Sequence, residues 1–347
     1  MKNLFLYVVI AFTFSSCSST QLVFLTVNQP APVTVPSHIK KAAILNRSEP
    51  SSQNRVVEVV DKIFSLEDAR LDKEGALASI NGITDELYKT NRFDEVVTVD
   101  GVYPGSAVPG LFPAPLTWKE VETICAKYNT DALFSLEIFD TDSKISYTTS
   151  PVTITTPFGK IPGVEHTANM LTIVKTGWRM YDPSSRTILD EFPMEKRINL
   201  YGKGINPTAA AAAILGRKDA VKQAATNAGH QYAERILPYS LRVQRDYYVK
   251  ATENFKTAKR KAQTGNWDGA ALLWQKETNN TDPKVAGRAC YNMAIINEIN
   301  GNLDEAINWA RKAYEQYNIR LGLQYVNILE RRKINDALVN EQTAQKF

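Results

Sequence analysis

The chain has 347 residues, which is enough for two domains of ordinary size. A hydrophobic fraction of 44% and a charged fraction of 22% are typical of a folded globular protein and exclude a disordered one. The 41 basic and 37 acidic residues give a net charge of only +4, and no segment concentrates the basic residues. We therefore expect no nucleic-acid partner.

The first residues predict an export signal that is removed. Lys2 precedes an apolar run over residues 4–14, which is far shorter than the roughly 20 residues of a membrane-spanning helix. The following Phe14-Ser15-Ser16-Cys17 resembles a relaxed lipobox of the Bacteroidota type. That resemblance implies that residues 1–16 are a lipoprotein signal peptide and that Cys17 becomes the lipidated first residue. The alternative is an ordinary signal peptide cut nearby, with Cys17 an incidental thiol.

Residues 17–37 are poor in charge and contain several prolines, so beyond a short apolar stretch at 22–27 they predict an extended, lipidated tether. Palmitate and the other acyl chains on Cys17 would tie the chain stably to a membrane. Ser18 follows the cysteine and no acidic cluster is near it, which resembles the sorting pattern of outer-membrane lipoproteins that face the periplasm. We therefore expect an outer-membrane protein anchored on the periplasmic side.

Residues 38–245 alternate strand and helix patterns, which predicts an α/β domain. The pattern favours a mixed-sheet sandwich with helices on one face. A hairpin is predicted to turn at Asp182-Pro183-Ser184-Ser185, and a long Ala-rich helix to begin at Pro207 with Asn206 as its cap. Strands are predicted at 40–46, 93–100, 131–139, 170–182 and 186–200, and helices at 76–90 and 117–128.

The remaining residues, 246–347, carry an internal repeat. The stretch GNWDGAALLWQKE begins at Gly265, and GNLDEAINWARKA begins 36 residues later at Gly301. A tetratricopeptide repeat has a period of about 34 residues, with two helices joined by a tight turn. We predict an all-α tetratricopeptide-like domain with a third, degraded unit over 320–345 that packs at Ala337. Generic helical hairpins that share a turn are the alternative.

Three stretches of the α/β region resemble known periplasmic domains. ELYKTNRFDEVVTVD, KYNTDALFSLEIFD and WRMYDPSSRTILDEF are similar to the helix-to-strand steps and closing hairpin shared by curli-secretion-channel lipoproteins, peptidoglycan-synthase activator lipoproteins and the TolB amino-terminal domain. The whole layout also resembles a Bacteroidota lipoprotein family of unknown function. The resemblance implies a fold and supplies no catalytic residue.

Sequence motifs for catalysis or ligand binding are lacking. His38, His166 and His230 show no metal-type spacing with one another or with the cysteines, and Cys125 and Cys290 are expected to be small core residues. No metalloprotease or serine-hydrolase motif occurs. The glycines at 202 and 204 lack the other glycines of a phosphate-binding loop. We expect a non-enzyme with no metal, no cofactor and no small-molecule substrate.

Two functions remain. The first is a binding or scaffold module for an envelope protein partner. The second is a subunit of an oligomeric outer-membrane secretion pore, which requires a membrane-spanning hairpin within residues 143–177. Ile145 and Tyr147 fall on the opposite strand face from Val152 and Ile154, with Pro151 between, which argues against a spanning strand. We expect a projecting hairpin or loop there.

A partner would dock on the first helices of the repeats, which line the concave face of such a stack. The candidates are polar, aromatic and aliphatic residues of these first helices, found by counting back from the turns at Gly265 and Gly301. They are Phe255, Lys259, Arg288, Tyr291, Asn292 and Ile295. Arg288 and Asn292 lie four apart on one helix face and together suit a carboxylate or a backbone carbonyl. The alternative is that these residues serve only packing.

Overall fold

The computed structural model describes residues 19–48, 62–101, 103, 105–106 and 110–344, and within these ranges it does not describe the side chains of residues 62–69 and 156. The predicted signal peptide and Cys17 lie outside the described residues. The chain divides into two compact units, one formed by Met1–Pro30 and Tyr239–Glu341, the other by Ala31–Pro238 and Gln342–Phe347. We call them the helical unit and the α/β unit.

The described residues form seven strands and nine helices, which confirms a mixed α/β protein with a C-terminal helical region. The strands are β1 (Thr20–Gln29), β2 (Lys41–Asn46), β3 (Glu95–Thr98), β4 (Ala132–Thr156), β5 (Gly159–Asp182), β6 (Thr187–Gly204) and β7 (Tyr239–Tyr248). The helices are α1 (Lys62–Thr90), α2 (Trp118–Tyr128), α3 (Pro207–Ala212), α4 (Arg217–Glu234), α5 (Glu253–Gln263), α6 (Trp267–Glu277), α7 (Pro283–Ile299), α8 (Leu303–Glu315) and α9 (Arg320–Ala344).

The α/β unit is built on a five-stranded mixed sheet in the order β3-β2-β4-β5-β6. Strand β2 pairs in parallel with β3 and β4, whereas β4, β5 and β6 run antiparallel to one another. The predicted turn after Asp182 is confirmed, because its carboxylate accepts hydrogen bonds from the Ser184 and Ser185 backbone N–H groups and so closes the link to β6.

Helices cover both faces of this sheet, so the prediction of helices on one face was wrong. Ala42 and Ile44 of β2 pack into a core with α1 and α4, while Ala43 and Leu45 pack into a second core with α2. A strand that is parallel to both neighbours is buried on both faces, and the unbroken apolar run of β2 meets that requirement. Helix α2 begins at a capping box between Thr117 and Glu120.

The long helix predicted from Pro207 is two helices. Asn206 caps α3 as expected, with its side chain accepting from the Ala209 backbone N–H. Helix α3 ends after six residues, and α4 starts beyond Gly216, whose φ of +76° belongs to the left-handed region. That backbone conformation breaks the helical path, and glycine adopts it without steric cost.

Residues 143–177 form most of an antiparallel hairpin, as the sequence predicted. The register between β4 and β5 is continuous from Ser143 opposite Thr172 to Thr156 opposite Gly159. Pro151 interrupts neither strand. A single register shift, between Leu136 and Ile138, lies nearer the core.

The predicted tether over 17–37 was wrong for residues 20–29, which form β1. This strand pairs antiparallel with β7 along its whole length, from Thr20 opposite Tyr248 to Gln29 opposite Tyr239. We call this two-stranded sheet the β1–β7 ribbon. Residues 239–245, which the sequence assigned to the α/β domain, therefore belong with the helical unit. The short apolar stretch at 22–27 lies within β1 and indicated a strand there. The partner of that strand, β7, lies more than 200 residues away in the sequence.

The helical unit contains two successive helical hairpins, α5–α6 and α7–α8, with equivalent turns. Gly265 and Gly301 have φ values of +79° and +78°, and Ala270 and Ala306 are fully buried at the same point of the second helix. The predicted third hairpin is absent from the described chain, because residues 320–344 form the single helix α9 and Ala337 is exposed. No Gly or Pro interrupts the sequence between Leu323 and Phe347.

Candidate partner-binding surface

The residues predicted to line a docking groove are mostly core residues of the helical unit. Phe255, Asn292 and Ile295 are fully buried and Tyr291 nearly so, while Lys259 and Arg288 are half-buried. The prediction that this set is available to a partner was therefore wrong in this structure. Their burial agrees with the alternative, in which these residues pack within the protein.

The β1–β7 ribbon occupies the place where a partner was expected. Tyr248 of β7 packs edge-on against Tyr291, with ring centroids 5.5 Å apart. Tyr247 packs against Trp274 in the same way at 5.8 Å. Val23 of β1 joins this core. The aromatic residues of α7 and α6 are thus satisfied within the chain.

Polar groups of α7 hold the ribbon by its backbone. The Asn292 side chain accepts a hydrogen bond from the Tyr248 N–H and donates one to the Tyr248 C=O, both at 2.7 Å. The Arg288 guanidinium donates to the Lys250 C=O at 2.7 Å and lies over the Tyr248 ring. The expected recognition of a carbonyl by Arg288 and Asn292 therefore takes place inside the protein.

A buried ion cluster, which the sequence analysis missed, joins three elements of the helical unit. The Glu298 carboxylate on α7 accepts from Nε and Nη2 of Arg245 on β7, each at 2.9 Å, and lies 3.0 Å from Nη1 of Arg332 on α9. Tyr325 also donates to it. Burial alone would raise the pKa of Glu298, but the hydrogen bonds from Arg245, Tyr325 and Arg332 outweigh burial and leave that pKa lowered.

The α/β unit contains a second buried carboxylate, Glu137 on β4. It accepts from Nη1 of Arg47 at 2.9 Å and from the Tyr181 hydroxyl at 2.9 Å. Burial raises the pKa of Glu137, and burial beside that carboxylate raises the pKa of Tyr181 to about 12. Both carboxylate oxygens already accept from protein donors, so this cluster links β4 to Arg47 and to Tyr181 of β5 and offers no open carboxylate to a ligand.

The glycines at 202 and 204, considered as an anion cradle, serve close packing instead. A Cβ on Gly202 would lie 2.3 Å from the Ala210 carbonyl oxygen, and a Cβ on Gly204 would lie 2.4 Å from the Ala210 nitrogen. The absence of side chains lets α3 approach strand β6. The space that an anion would need is filled by the backbone of α3.

An apolar stripe on α9 is exposed. Leu323, Ile334 and Leu338 are 44%, 62% and 41% exposed. Leu323 and Ile334 are eleven residues apart, which is about three helical turns, and Ile334 and Leu338 are four apart, which is about one turn. The three side chains therefore lie along one side of the helix. We call them the α9 stripe. The exposed polar residues Asn327 and Glu330 lie on the same side between Leu323 and Ile334, so the continuous apolar part is Ile334 with Leu338, one turn apart. Single exposed apolar residues are ordinary, and it is this adjacent pair that makes the α9 stripe a candidate contact surface.

Among the residues that the structure describes, no three metal-ligating side chains cluster. In the same part of the chain, no helix combines the length and apolar character needed to cross a membrane. Cys125 and Cys290 are buried free cysteines, which confirms their predicted core positions.

The fold and these surfaces define a protein with an α/β unit and a helical unit. The chain belongs to the family described as "Domain of unknown function (DUF8603)", whose model matches residues 39–248. A second model, "Domain of unknown function (DUF6340)", matches residues 256–331, which lie within α5–α9. No curated protein matches the chain.

Among solved structures, the PelC dodecamer from Paraburkholderia phytofirmans in space group P6 is 10% identical, with 62% of this chain and 97% of that chain covered and a TM-score of 0.24. A putative neuraminyllactose-binding hemagglutinin homolog from Helicobacter pylori is 9% identical, with 56% of this chain and 90% of that chain covered and a TM-score of 0.24. With TM-scores this low, neither likeness supports a conclusion about this chain.

Proposed function

We propose that this protein is a non-catalytic lipoprotein of the outer membrane that faces the periplasm and binds an envelope protein through the α9 stripe. The observation that carries the proposal is the contrast between two surfaces of the helical unit. The predicted contact face of α7 is occupied by the chain's own β1–β7 ribbon, through Tyr248 against Tyr291 and through the Asn292 hydrogen bonds. The stripe of Leu323, Ile334 and Leu338 remains exposed.

We infer further that α5–α6 and α7–α8 are tetratricopeptide-like repeats. Their turns share a Gly-Asn pair and a small buried residue at the same point, 36 residues apart. The last helix of such a stack requires a polar outer face, because no further repeat covers it. Helix α9 departs from that rule at the α9 stripe. Most other exposed residues of α9 are polar or charged, and the adjacent apolar pair Ile334 and Leu338 suits contact with a helix supplied by another protein.

Anchoring through Cys17 fits the position of the first strand. Strand β1 begins at Thr20, three residues after Cys17, and three residues span at most about 10 Å, so the point of attachment to the membrane would be close to the start of the ribbon. Leu22 and Phe24 on the ribbon are 53% and 48% exposed, and the Arg242 guanidinium lies over the Phe24 ring. A membrane interface accommodates such apolar and cationic side chains.

The pore remains the alternative function. A pore requires many copies in a closed ring, whereas a scaffold functions as a monomer or dimer. Native mass measurement of the detergent-solubilised protein separates the two: a ring of many copies would support the pore and count against the scaffold.

The proposed partner surface is tested by a crosslinked pull-down from intact envelopes. We expect Ile334→Glu combined with Leu338→Glu to remove the main crosslinked partner without lowering the melting temperature, because both side chains are exposed. The matched control is Leu272→Glu on α6, where the leucine is 68% exposed and lies outside the α9 stripe. An unchanged partner list with the double variant would rule out the α9 stripe as the binding surface.

A further inference from the structure

The end of the β4–β5 hairpin exposes apolar side chains around its turn. Phe158, in the turn between Thr156 and Gly159, is fully exposed at 101%. Ile154 and Ile161 are opposite each other in the register and therefore share one face, where they are 42% and 50% exposed. We call residues 151–164 the hairpin tip.

The opposite face of the hairpin tip is also partly apolar. Pro151 is opposite Val164, and Thr153 is opposite Pro162. Val164 is 54% exposed. Nearest the turn, however, this face carries Thr155 opposite Lys160, whereas the other face carries Ile154 opposite Ile161. The end of the hairpin is therefore amphipathic, with apolar side chains on one face and at the turn and a lysine on the other face. Such an arrangement suits a lipid interface, where apolar side chains meet the acyl boundary and a lysine meets the headgroups.

The charge around the hairpin tip has one sign. Residues 143–164 contain no Asp or Glu, and their only charged side chains are Lys144 and Lys160. Lys160 lies two residues from Phe158. The acidic residue that follows, Glu165, is paired with Lys203 of β6 at 2.7 Å. A lysine beside exposed apolar side chains, with no acid near the turn, complements a surface of anionic lipid headgroups.

We propose that the hairpin tip binds lipid membranes by inserting Phe158, Ile154 and Ile161 into the headgroup region while Lys160 contacts anionic headgroups. The side chains reach only the interface. Binding of this kind grows with the buried apolar area and with the attraction to anionic lipid. The contact does not require acylation of Cys17, so it is a second membrane contact on the α/β unit and goes beyond the proposed scaffold function.

The test uses the chain from Ser18 to Phe347, which contains every described residue and lacks the proposed lipidation site. An environment-sensitive fluorophore is attached to Phe158→Cys, and Cys125 and Cys290 react slowly because they are buried. Leu77→Cys, at an exposed apolar residue of α1, carries the same fluorophore as the matched control. Vesicles are made of phosphatidylcholine alone or mixed with phosphatidylglycerol.

We expect a blue-shifted, brighter emission at position 158 with the mixed vesicles and no change at position 77. Phe158→Ser combined with Ile161→Ser should lower vesicle co-sedimentation at least about tenfold, and Lys160→Gln should abolish the preference for phosphatidylglycerol. These side chains are exposed, so an unchanged melting temperature confirms that each variant is folded.

Three results would overturn the inference. The first is no emission change with either vesicle, and the second is an equal change at positions 158 and 77. The third is an emission change that rises with protein concentration in the absence of vesicles, which would assign the hairpin tip to contact with a second copy. Because this chain lacks Cys17 and the assay does not involve α9, none of these results bears on the anchor or on the α9 stripe.

Discussion

The side-chain amide of Asn292 pairs with both backbone groups of Tyr248, accepting from its N–H and donating to its C=O at 2.7 Å each. An amide presents a donor and an acceptor side by side, as a neighbouring strand does, so a fully buried asparagine on α7 continues the hydrogen bonding of β7. This pairing attaches the ribbon to the helices.

Replacing Asn292 with Ala should lower the free energy of unfolding of the helical unit by about 2–4 kcal/mol, because two buried backbone groups lose their partners. Urea unfolding followed by circular dichroism measures the change. Asn297→Ala on the same helix is the control, since its amide donates only to the Met293 C=O one turn earlier. Equal effects of the two substitutions would show that the Tyr248 pairing contributes no stability of its own.

Glu298→Gln should destabilise the helical unit by about 3–5 kcal/mol at pH 7, because it leaves the half-buried Arg245 without its carboxylate and Arg332 with only the 3.7 Å ion pair to Asp336. Thermal and urea unfolding measure the loss. The control is Glu330→Gln, which removes an exposed ion pair with Arg311 and should cost less than about 1 kcal/mol. A small effect at Glu298 would mean that the cluster gains little over its desolvation cost.

The same carboxyl group predicts a pH dependence. The pKa of Glu298 is lowered in the folded state, so its contribution to stability is present above the unfolded value of about 4.3 and is lost as pH falls through the folded value. The difference in unfolding free energy between the unsubstituted protein and Glu298→Gln should therefore shrink as pH falls from 6 towards about 3. A difference that stays constant over this range would contradict the lowered pKa.

Thiol counting tests lipidation at Cys17. Burial raises the pKa of both Cys125 and Cys290 to about 11, so both should react slowly with thiol reagents in the folded protein at pH 8. The sequence contains three cysteines. Protein extracted from membranes and then unfolded should show two reactive thiols if Cys17 is acylated, together with an intact mass that includes the acyl chains. Three thiols and an unmodified mass would disprove the anchor.

The contact between α1 and α4 depends on two glycines. A Cβ on Gly82 would lie 2.2 Å from the Thr226 carbonyl oxygen, and a Cβ on Gly229 would lie 2.1 Å from the Ser79 carbonyl oxygen. Gly229→Ala should therefore force the helices apart and destabilise the α/β unit by about 1–3 kcal/mol in chemical unfolding. Gln231→Ala, at an exposed position of α4, should have almost no effect. Tolerance of alanine at Gly229 would show that the contact relaxes easily.

Local patterns in the sequence determined most of the elements of this fold. The apolar run of β2, the turn after Asp182, the helix start at Thr117, the capping residue Asn206, and the equivalent turns at Gly265 and Gly301 each depend on neighbouring residues. Hydrophobic periodicity and turn chemistry report such local preferences directly. The sequence alone therefore determined a mixed α/β region followed by helical hairpins.

Only the tertiary structure decided which surfaces remain available. From the sequence, the apolar stretch at 22–27 was assigned to a tether. It forms a strand because β7, more than 200 residues later, supplies its hydrogen-bonding partners. Tyr291 and Asn292 have the residue types of a binding groove, but the ribbon covers them, and Phe255 is buried in the same core. Long-range pairing leaves no local signature, because the same aromatic or amide side chain suits a partner and the chain's own strand equally well. The tertiary structure thus moved the candidate surface from α7 to α9.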